Sequence, residues 1–275
     1  MSIISLVRTF SQMLEKNNQD NPKRTIEELI AYHLDCKPLE IYNHNIENTI
    51  DIEKDVKRLL NNEPLQYIIG NVNFFGIEFN CDSRALIPRP ETELLIETIL
   101  DSDIWDQSNP TVLDIGTGSG CIAVSLANTK PQIYLDAVDI SLSALELAKE
   151  NAKKLNLKNI HFYPCNILED FPPKKYDAVI SNPPYIPTKE WENLHTSVKD
   201  FEPRNALDAG DSGLEYILEI VKNAHKHLND NGMIFLEIGY DQSKLVTKIL
   251  IENGFNNVTL KVDYQGINRV ITGNK

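Results

Sequence analysis

Four cysteines in 275 residues, at Cys36, Cys81, Cys121 and Cys165, stand far apart, and no two have the short spacing of a metal-binding pair. They read as reduced structural thiols. The six histidines are scattered as well, with His195 read as a surface residue, so no metal is expected. No apolar run approaches the roughly 20 residues of a membrane-crossing helix. At the N-terminus Ile3, Ile4, Leu6, Val7 and Phe10 are interrupted by Arg8 and polar residues, unlike a signal-peptide core. Basic residues are in the minority: 27 Lys and Arg face 40 Asp and Glu, a formal net charge of −13, which argues against a broad nucleic-acid surface. Internal repeats and low-complexity linkers are missing too. What remains is a chain with enough apolar content for one large or two modest domains, placed most simply in the cytoplasm.

The first 62 or so residues read as helices. Ile3, Leu6, Val7, Phe10, Met13 and Leu14 make one amphipathic stripe. Thr25 and Glu28 have the spacing of a capping box ahead of Leu29, Ile30 and Leu34, and a further helix is predicted over 50–60 with Ile52, Val56, Leu59 and Leu60 on one side. Residues 72–87 then alternate through Val72, Phe74, Ile77 and Phe79 around Phe75-Gly76, as a β-hairpin does.

From Glu91 onward strands and helices alternate. Strands are predicted near 111–114, 133–138, 159–163, 177–181, 232–238, 257–262 and 268–272, with helices between them and Ser141 as an N-cap. That order implies a mostly parallel sheet covered on both faces, closed at its edge by an antiparallel pair, since the last two strands have no helix between them.

Two segments carry chemistry. In the first, the apolar run Val112-Leu113-Asp114-Ile115 enters Gly116-Thr117-Gly118-Ser119-Gly120 and then a helix. Glycines allow the sharp turn and the close approach of a ligand, although the dinucleotide fingerprint would want a glycine where Cys121 stands. The next strand ends at Asp139, about 20 residues on, where a carboxylate can take both hydroxyls of a ribose. No Lys follows the loop and no basic residue stands near Asp139, so a ribose without a compulsory phosphate is implied. S-adenosylmethionine answers that description.

The second segment is Asn182-Pro183-Pro184-Tyr185, directly after the apolar run Ala178, Val179, Ile180. An amide at a strand's carboxyl end can aim its carbonyl outward, and proline has no N–H to pair. Asn182 and the Pro183 carbonyl can accept both hydrogens of a planar NH2 group while Tyr185 covers its face. A Pro-rich turn that merely ends a strand is the plainer reading of Pro-Pro alone.

With these segments in place, the chain resembles the HemK/PrmC family, the protein-glutamine N-methyltransferases that modify the Gly-Gly-Gln tripeptide of peptide chain release factors. The matching residues also include 63–70 (Glu-Pro-Leu-Gln-Tyr-Ile-Ile-Gly), Phe74-Phe75-Gly76, 86–93 (Leu-Ile-Pro-Arg-Pro-Glu-Thr-Glu), 202–207 (Glu-Pro-Arg-Asn-Ala-Leu) and 263–269 (Asp-Tyr-Gln-Gly-Ile-Asn-Arg). Asn-Pro-Pro-Tyr is shared with adenine and other amine methyltransferases, whereas 86–93 is more particular to this family. The resemblance implies a Rossmann-like α/β methyltransferase with a seven-stranded, mostly parallel sheet over 91–275. It further implies a small N-terminal helical domain over 1–70 that helps hold the release factor, and a linking β-hairpin over 71–90.

S-adenosylmethionine is the implied cofactor, S-adenosylhomocysteine its product, and release factors the protein substrate; neither nucleic acid nor membrane is expected as a partner. Gly116, Thr117, Gly118, Ser119, Gly120, Asp139, Asn166, Ile167 and Asn182 are the expected cofactor residues. Asn182, Pro183, Pro184 and Tyr185 are expected on the substrate, with Asn182, Pro183 and Tyr185 catalytic. One departure is visible: Cys165-Asn166-Ile167 stands where the family commonly has Gly-Asp and an aromatic residue, so the adenine would pack on Ile167 without stacking. A ribosomal-protein glutamine and a nucleic-acid adenine amine are alternative substrates, and a nicotinamide-dependent oxidoreductase is the more distant alternative.

Overall fold

Ile3, Leu6, Val7 and Leu14 are buried along one side of helix α1 (Ile3–Lys16) in the computed structural model, which describes residues 2–44 and 52–275. Phe10 packs partly against the same core, while Met13, at the margin of the stripe, is exposed. Helix α2 (Pro22–Leu34) begins one turn earlier than the capping-box spacing predicts. Pro22 takes the first helical position, where its missing N–H costs nothing and its fixed φ suits the helix. Thr25 therefore lies inside the helix, its hydroxyl directed back to the Asn21 carbonyl, and caps nothing. Helix α3 (Glu53–Leu60) starts later than expected, and Ile50 lies outside the described residues. Helix α4 (Leu65–Ile69) stops at Gly70, whose φ of +76° gives the left-handed end that glycine adopts freely. Ile26, Leu29, Ile30, Ile41, Ile52, Val56, Leu59 and Leu65 complete a core belonging to this first unit, Met1–Asn71, with which His195–Phe201 groups.

The second unit comprises Val72–Leu194 and Glu202–Lys275. Strands β1 (Asn71–Phe74) and β2 (Ile77–Asn80) form a hairpin as expected but shorter than the 72–87 alternation predicts, turning through Phe75 and Gly76 at φ +51° and +72°. Two left-handed residues match the twist of the flanking strands. Phe74 and Phe79 meet edge to face with centroids 6.0 Å apart and are buried in the core under the main sheet, so the hairpin is built into the second unit.

That sheet holds β3 (Thr111–Ile115), β4 (Tyr134–Asp139), β5 (Ile160–Pro164), β6 (Tyr176–Ser181), β7 (Leu228–Glu237), β8 (Asn256–Val262) and β9 (Asn268–Asn274) in the order β5-β4-β3-β6-β7-β9-β8. The first five are parallel; β9 runs antiparallel to both β7 and β8. Helices α5 (Pro90–Leu100), α6 (Cys121–Thr129) and α7 (Leu142–Lys154) share a core with Val112, Ala178, Ile180 and Phe235. The neighbouring positions Leu113, Val179, Ile234 and Leu236 pack instead with helices α9 (Glu215–His227) and α10 (Ser243–Glu252). A short helix, α8 (Thr196–Lys199), lies in the segment that groups with the first unit. Period-two alternation with both faces covered explains why these strands read as unbroken apolar runs.

Chain order reverses beside β3, with β4 on one side and β6 on the other. Ile115 pairs with Val138 of β4 and with Ser181 of β6, so the residues that follow all three strands emerge together at one edge. In open α/β sheets this reversal opens the crevice where ligands bind.

Candidate active site

The cleft at that edge is lined by residues from the expected cofactor loop, from Asp139, from Cys165-Asn166-Ile167 and from Asn182-Pro183-Pro184, together with 84–89 and Thr92. Its glycine loop is shaped by the main chain. Gly116, Gly118 and Gly120 have φ of +70°, +55° and +80°. The Gly116 and Thr117 N–H groups both donate to the Val138 carbonyl, at 2.8 and 2.9 Å, which folds the loop over the end of β4. A side chain at Gly116 would meet no protein atom within 4 Å, whereas one at Gly120 would stand 3.0 Å from the Ala148 Cβ. Gly120 thus provides the close packing of α6 on α7 that the dinucleotide fingerprint asks of the next position, which is why Cys121 is tolerated. Asn151 of α7, buried, ties the Ser119 carbonyl at 2.9 Å to the hairpin end at Asn80.

Beneath the loop, Asp114 is fully buried and accepts the Thr117 hydroxyl at 2.6 Å. Burial pushes its carboxyl up to about 7, with the Thr117 hydrogen bond opposing and the Asp139 charge adding to the rise. Asp139 accepts the Gly118 N–H on one oxygen and the Ser141 N–H on the other, both at 2.9 Å. Burial raises its pKa as well, against those backbone hydrogen bonds. Each carboxylate oxygen has a second lone pair, so Asp139 can hold the loop and still accept two hydroxyls. Ser141 caps α7 as expected, accepting the Ala144 N–H at 3.2 Å.

On the other flank, Asn166 Oδ1 accepts the Leu168 N–H at 3.2 Å and Ile167 is buried. Asn182 Nδ2 donates to Thr92 Oγ1 at 3.1 Å, and Thr92 Oγ1 donates to Glu237 Oε2 at 2.7 Å. Glu237 ends β7 fully enclosed; burial pushes its pKa up to about 7, opposed by the Thr92 hydrogen bond. At the mouth, Arg89 pairs at 2.5 Å with Glu202, which also accepts the Ile87 N–H at 3.1 Å.

The structure therefore gathers Gly116, Thr117, Gly118, Ser119, Asp139, Asn166, Ile167, Asn182, Pro183 and Pro184 on the lining of one cleft. Gly120 and Tyr185 are not on it. Gly120 is turned to α7, and Tyr185, expected to cover the substrate, has its carbonyl held by Gln242 at 3.1 Å while burial pushes its phenol up to about 12. His195 is exposed, as expected, with its Nδ1 on Ser197. Sequence reasoning did not assign roles to Thr92, Glu237, Arg89 or Glu202. The available signal was Glu237 itself, a carboxylate closing the apolar run Ile234-Phe235-Leu236 as Asp139 closes its own strand.

Known proteins resemble this chain over nearly its whole length. Family models match for a methyltransferase small domain over residues 90–199 and for the PrmC N-terminal domain over residues 5–70. The release factor glutamine methyltransferase of Thermodesulfovibrio yellowstonii is 37% identical over 253 residues, 90% of this chain and 91% of that protein. That of Rhodopirellula baltica is 33% identical over 286 residues, spanning 100% of this chain and 96% of its own. The crystal structure of a methyltransferase from Pyrococcus furiosus superposes with a TM-score of 0.55 at 16% identity, covering 81% of this chain and 98% of that one, a likeness of fold. Identity at this level over nearly the whole length, with both family models in sequence, decides the matter: the chain belongs to the release factor glutamine methyltransferase family.

Proposed function

We propose that this chain methylates the side-chain amide nitrogen of the glutamine in the Gly-Gly-Gln motif of peptide chain release factors, using S-adenosylmethionine. The observation that carries the reading is Asn182: its Nδ2 is committed to Thr92 at 3.1 Å, so Oδ1 is the atom left to accept from an NH2 group. Family membership supplies the substrate class.

The residues present fit the cofactor. Asp139 retains lone pairs for ribose hydroxyls, the main chain at 116–119 is open to an amino-acid moiety, and Asn166 with Ile167 faces the adenine region. When bound, S-adenosylmethionine supplies an electrophilic methyl group and is left as S-adenosylhomocysteine. The chain supplies position. An amide nitrogen is a poor nucleophile, so fixing its distance and angle is the main catalytic resource. Asn182 Oδ1 and the Pro183 carbonyl accept the two amide hydrogens and stabilise the positive charge that grows on nitrogen. Each such hydrogen bond contributes about 0.5 to 1.5 kcal/mol net, with most of its value in the transition state. Tyr185, next to the lining prolines, flanks the amide plane, and the released proton passes to water.

The helical domain over 1–70 grips the release factor, and the second unit, with 84–89 in the cleft lining, carries the methyltransferase site. The reaction belongs in the cytoplasm, where release factors act; among the described residues no helix is long and apolar enough to cross a membrane. The test is transfer of radiolabelled methyl from S-adenosylmethionine to purified release factor. Label in release factor is expected. Tight binding of NADH with no methyl transfer would support the oxidoreductase alternative and overturn the reading.

A further inference from the structure

An asparagine side chain has two faces of opposite character. Its oxygen accepts from an amine, and its nitrogen donates to a carbonyl. Which one Asn182 offers to the cleft is decided behind it. Thr92 and Glu237 are each 2% exposed, so water does not complete their hydrogen bonding. Thr92 has one hydroxyl proton, and it is directed to Glu237 Oε2 at 2.7 Å. Only lone pairs are then left on Thr92 Oγ1 to face Asn182, and the partner they require is the Nδ2–H group, at 3.1 Å; the Glu237 carboxylate also accepts from the Asn182 amide, which favours the same orientation.

We propose that Glu237 and Thr92 form a buried chain of fixed hydrogen-bond polarity that sets the amide of Asn182 with its oxygen available to substrate, making Thr92 a positioning residue that selects NH2-bearing groups over carbonyl-bearing ones. The inference rests on the function proposed above and names the device behind its specificity. A hydroxyl that had no carboxylate to donate to would accept either end of the amide, and Asn182 would divide its time between a productive and an inverted orientation. Inversion places two N–H donors against the substrate's own N–H donors, so its main cost falls on turnover. Glu237 is ionised, and can only accept, in mildly alkaline solution, since its carboxyl titrates near 7. The charged and titratable groups around it are Glu91, which raises that value, and Arg269, which lowers it, with Tyr185 and Cys121 coupled to its charge.

The test compares wild type with Thr92→Val, which keeps the shape and removes the hydroxyl, and Thr92→Ser, which keeps the hydroxyl. In mildly alkaline buffer, Thr92→Val should lower kcat on release factor by about tenfold or more, as loss of a preorganised partner does. Its affinity for S-adenosylmethionine and its KM should stay close to wild type, and Thr92→Ser should recover most of the rate. A valine variant with normal kcat, or a serine variant as slow as valine, overturns the inference. Side-chain amide NMR supplies a readout independent of turnover. The Asn182 NH2 protons should be protected from solvent exchange in wild type and in Thr92→Ser, and exposed in Thr92→Val. Unprotected Asn182 protons in wild type overturn the inference even if methyl transfer is confirmed; protected protons with no methyl transfer overturn the proposed function and leave the polarity device standing.

Discussion

Thr92 Oγ1 and Glu237 Oε2 lie 2.7 Å apart across 145 residues of sequence, and the amide of Asn182 hangs from the same hydroxyl. The start of α5, the end of β7 and the end of β6 are thereby joined at one atom. A carboxylate enclosed this way is held at an energetic cost, which makes it visible to pH.

Glu237 is pushed from 4.5 up to about 7, so the folded chain binds its proton more tightly than the unfolded chain does. Stability from this group is therefore full below 4.5 and is lost as pH rises through about 7, on the order of 3 kcal/mol in all. Glu237→Gln removes the dependence. Its melting temperature relative to wild type should rise between about pH 5 and about pH 8. Calorimetric scans in which that difference stays flat would show that Glu237 ionises freely.

Asn182→Ala should lower methyl transfer about a hundredfold or more, because the acceptor is lost where charge develops. Asn182→Asp keeps an acceptor and adds a charge, so residual activity is expected. Single-turnover rates with radiolabelled S-adenosylmethionine report this, alongside an affinity for the cofactor that changes much less. Near-normal chemistry in the alanine variant would remove Asn182 from the reaction.

Asp139→Ala should weaken S-adenosylmethionine binding by roughly ten- to a hundredfold, the loss of charge-assisted hydrogen bonds worth about 1.5 to 3 kcal/mol. The same carboxylate holds the Gly118 and Ser141 N–H groups, so part of the loss comes through a loosened loop. Asp139→Asn keeps one acceptor oxygen and should fall between. Calorimetric titration giving unchanged affinity in the alanine variant would take Asp139 out of the ribose site.

Gly120→Ala puts a Cβ 3.0 Å from the Ala148 Cβ and 3.2 Å from its Cα, at a φ of +80° that side chains resist. A cost of about 1 to 3 kcal/mol is expected from backbone strain alone. Urea denaturation measures it. Gly116→Ala, whose Cβ meets no protein atom within 4 Å, shares the positive φ but not the clash, and should lose less stability and more cofactor affinity.

Much of this site was legible because it is local. A glycine loop after an apolar strand, an acid closing the next strand and an asparagine closing a third are all written within a few residues, and a doubly wound sheet brings such strand ends to one edge. The Thr92 to Glu237 contact was not legible, since nothing local ties residues 145 apart. Thr25 with Glu28 shows the opposite failure: the capping-box spacing was present, and Pro22 won the helix start through its fixed φ. The hold of Gln242 on the Tyr185 carbonyl, across 57 residues, was equally out of reach of local pattern. The role of the N-terminal helices is likewise beyond sequence pattern. A chain beginning at Asn61 should bind S-adenosylmethionine yet methylate intact release factor poorly, and equal loss on a short Gly-Gly-Gln peptide would point to a folding role.

The most direct measurement is mass spectrometry of purified release factor after incubation with this protein and S-adenosylmethionine. Fragmentation should place a single added methyl on the side-chain amide of the Gly-Gly-Gln glutamine, and none on a release factor carrying alanine there. An unmodified glutamine beside a protein that binds the cofactor, or a methyl on any other residue, would contradict the assignment.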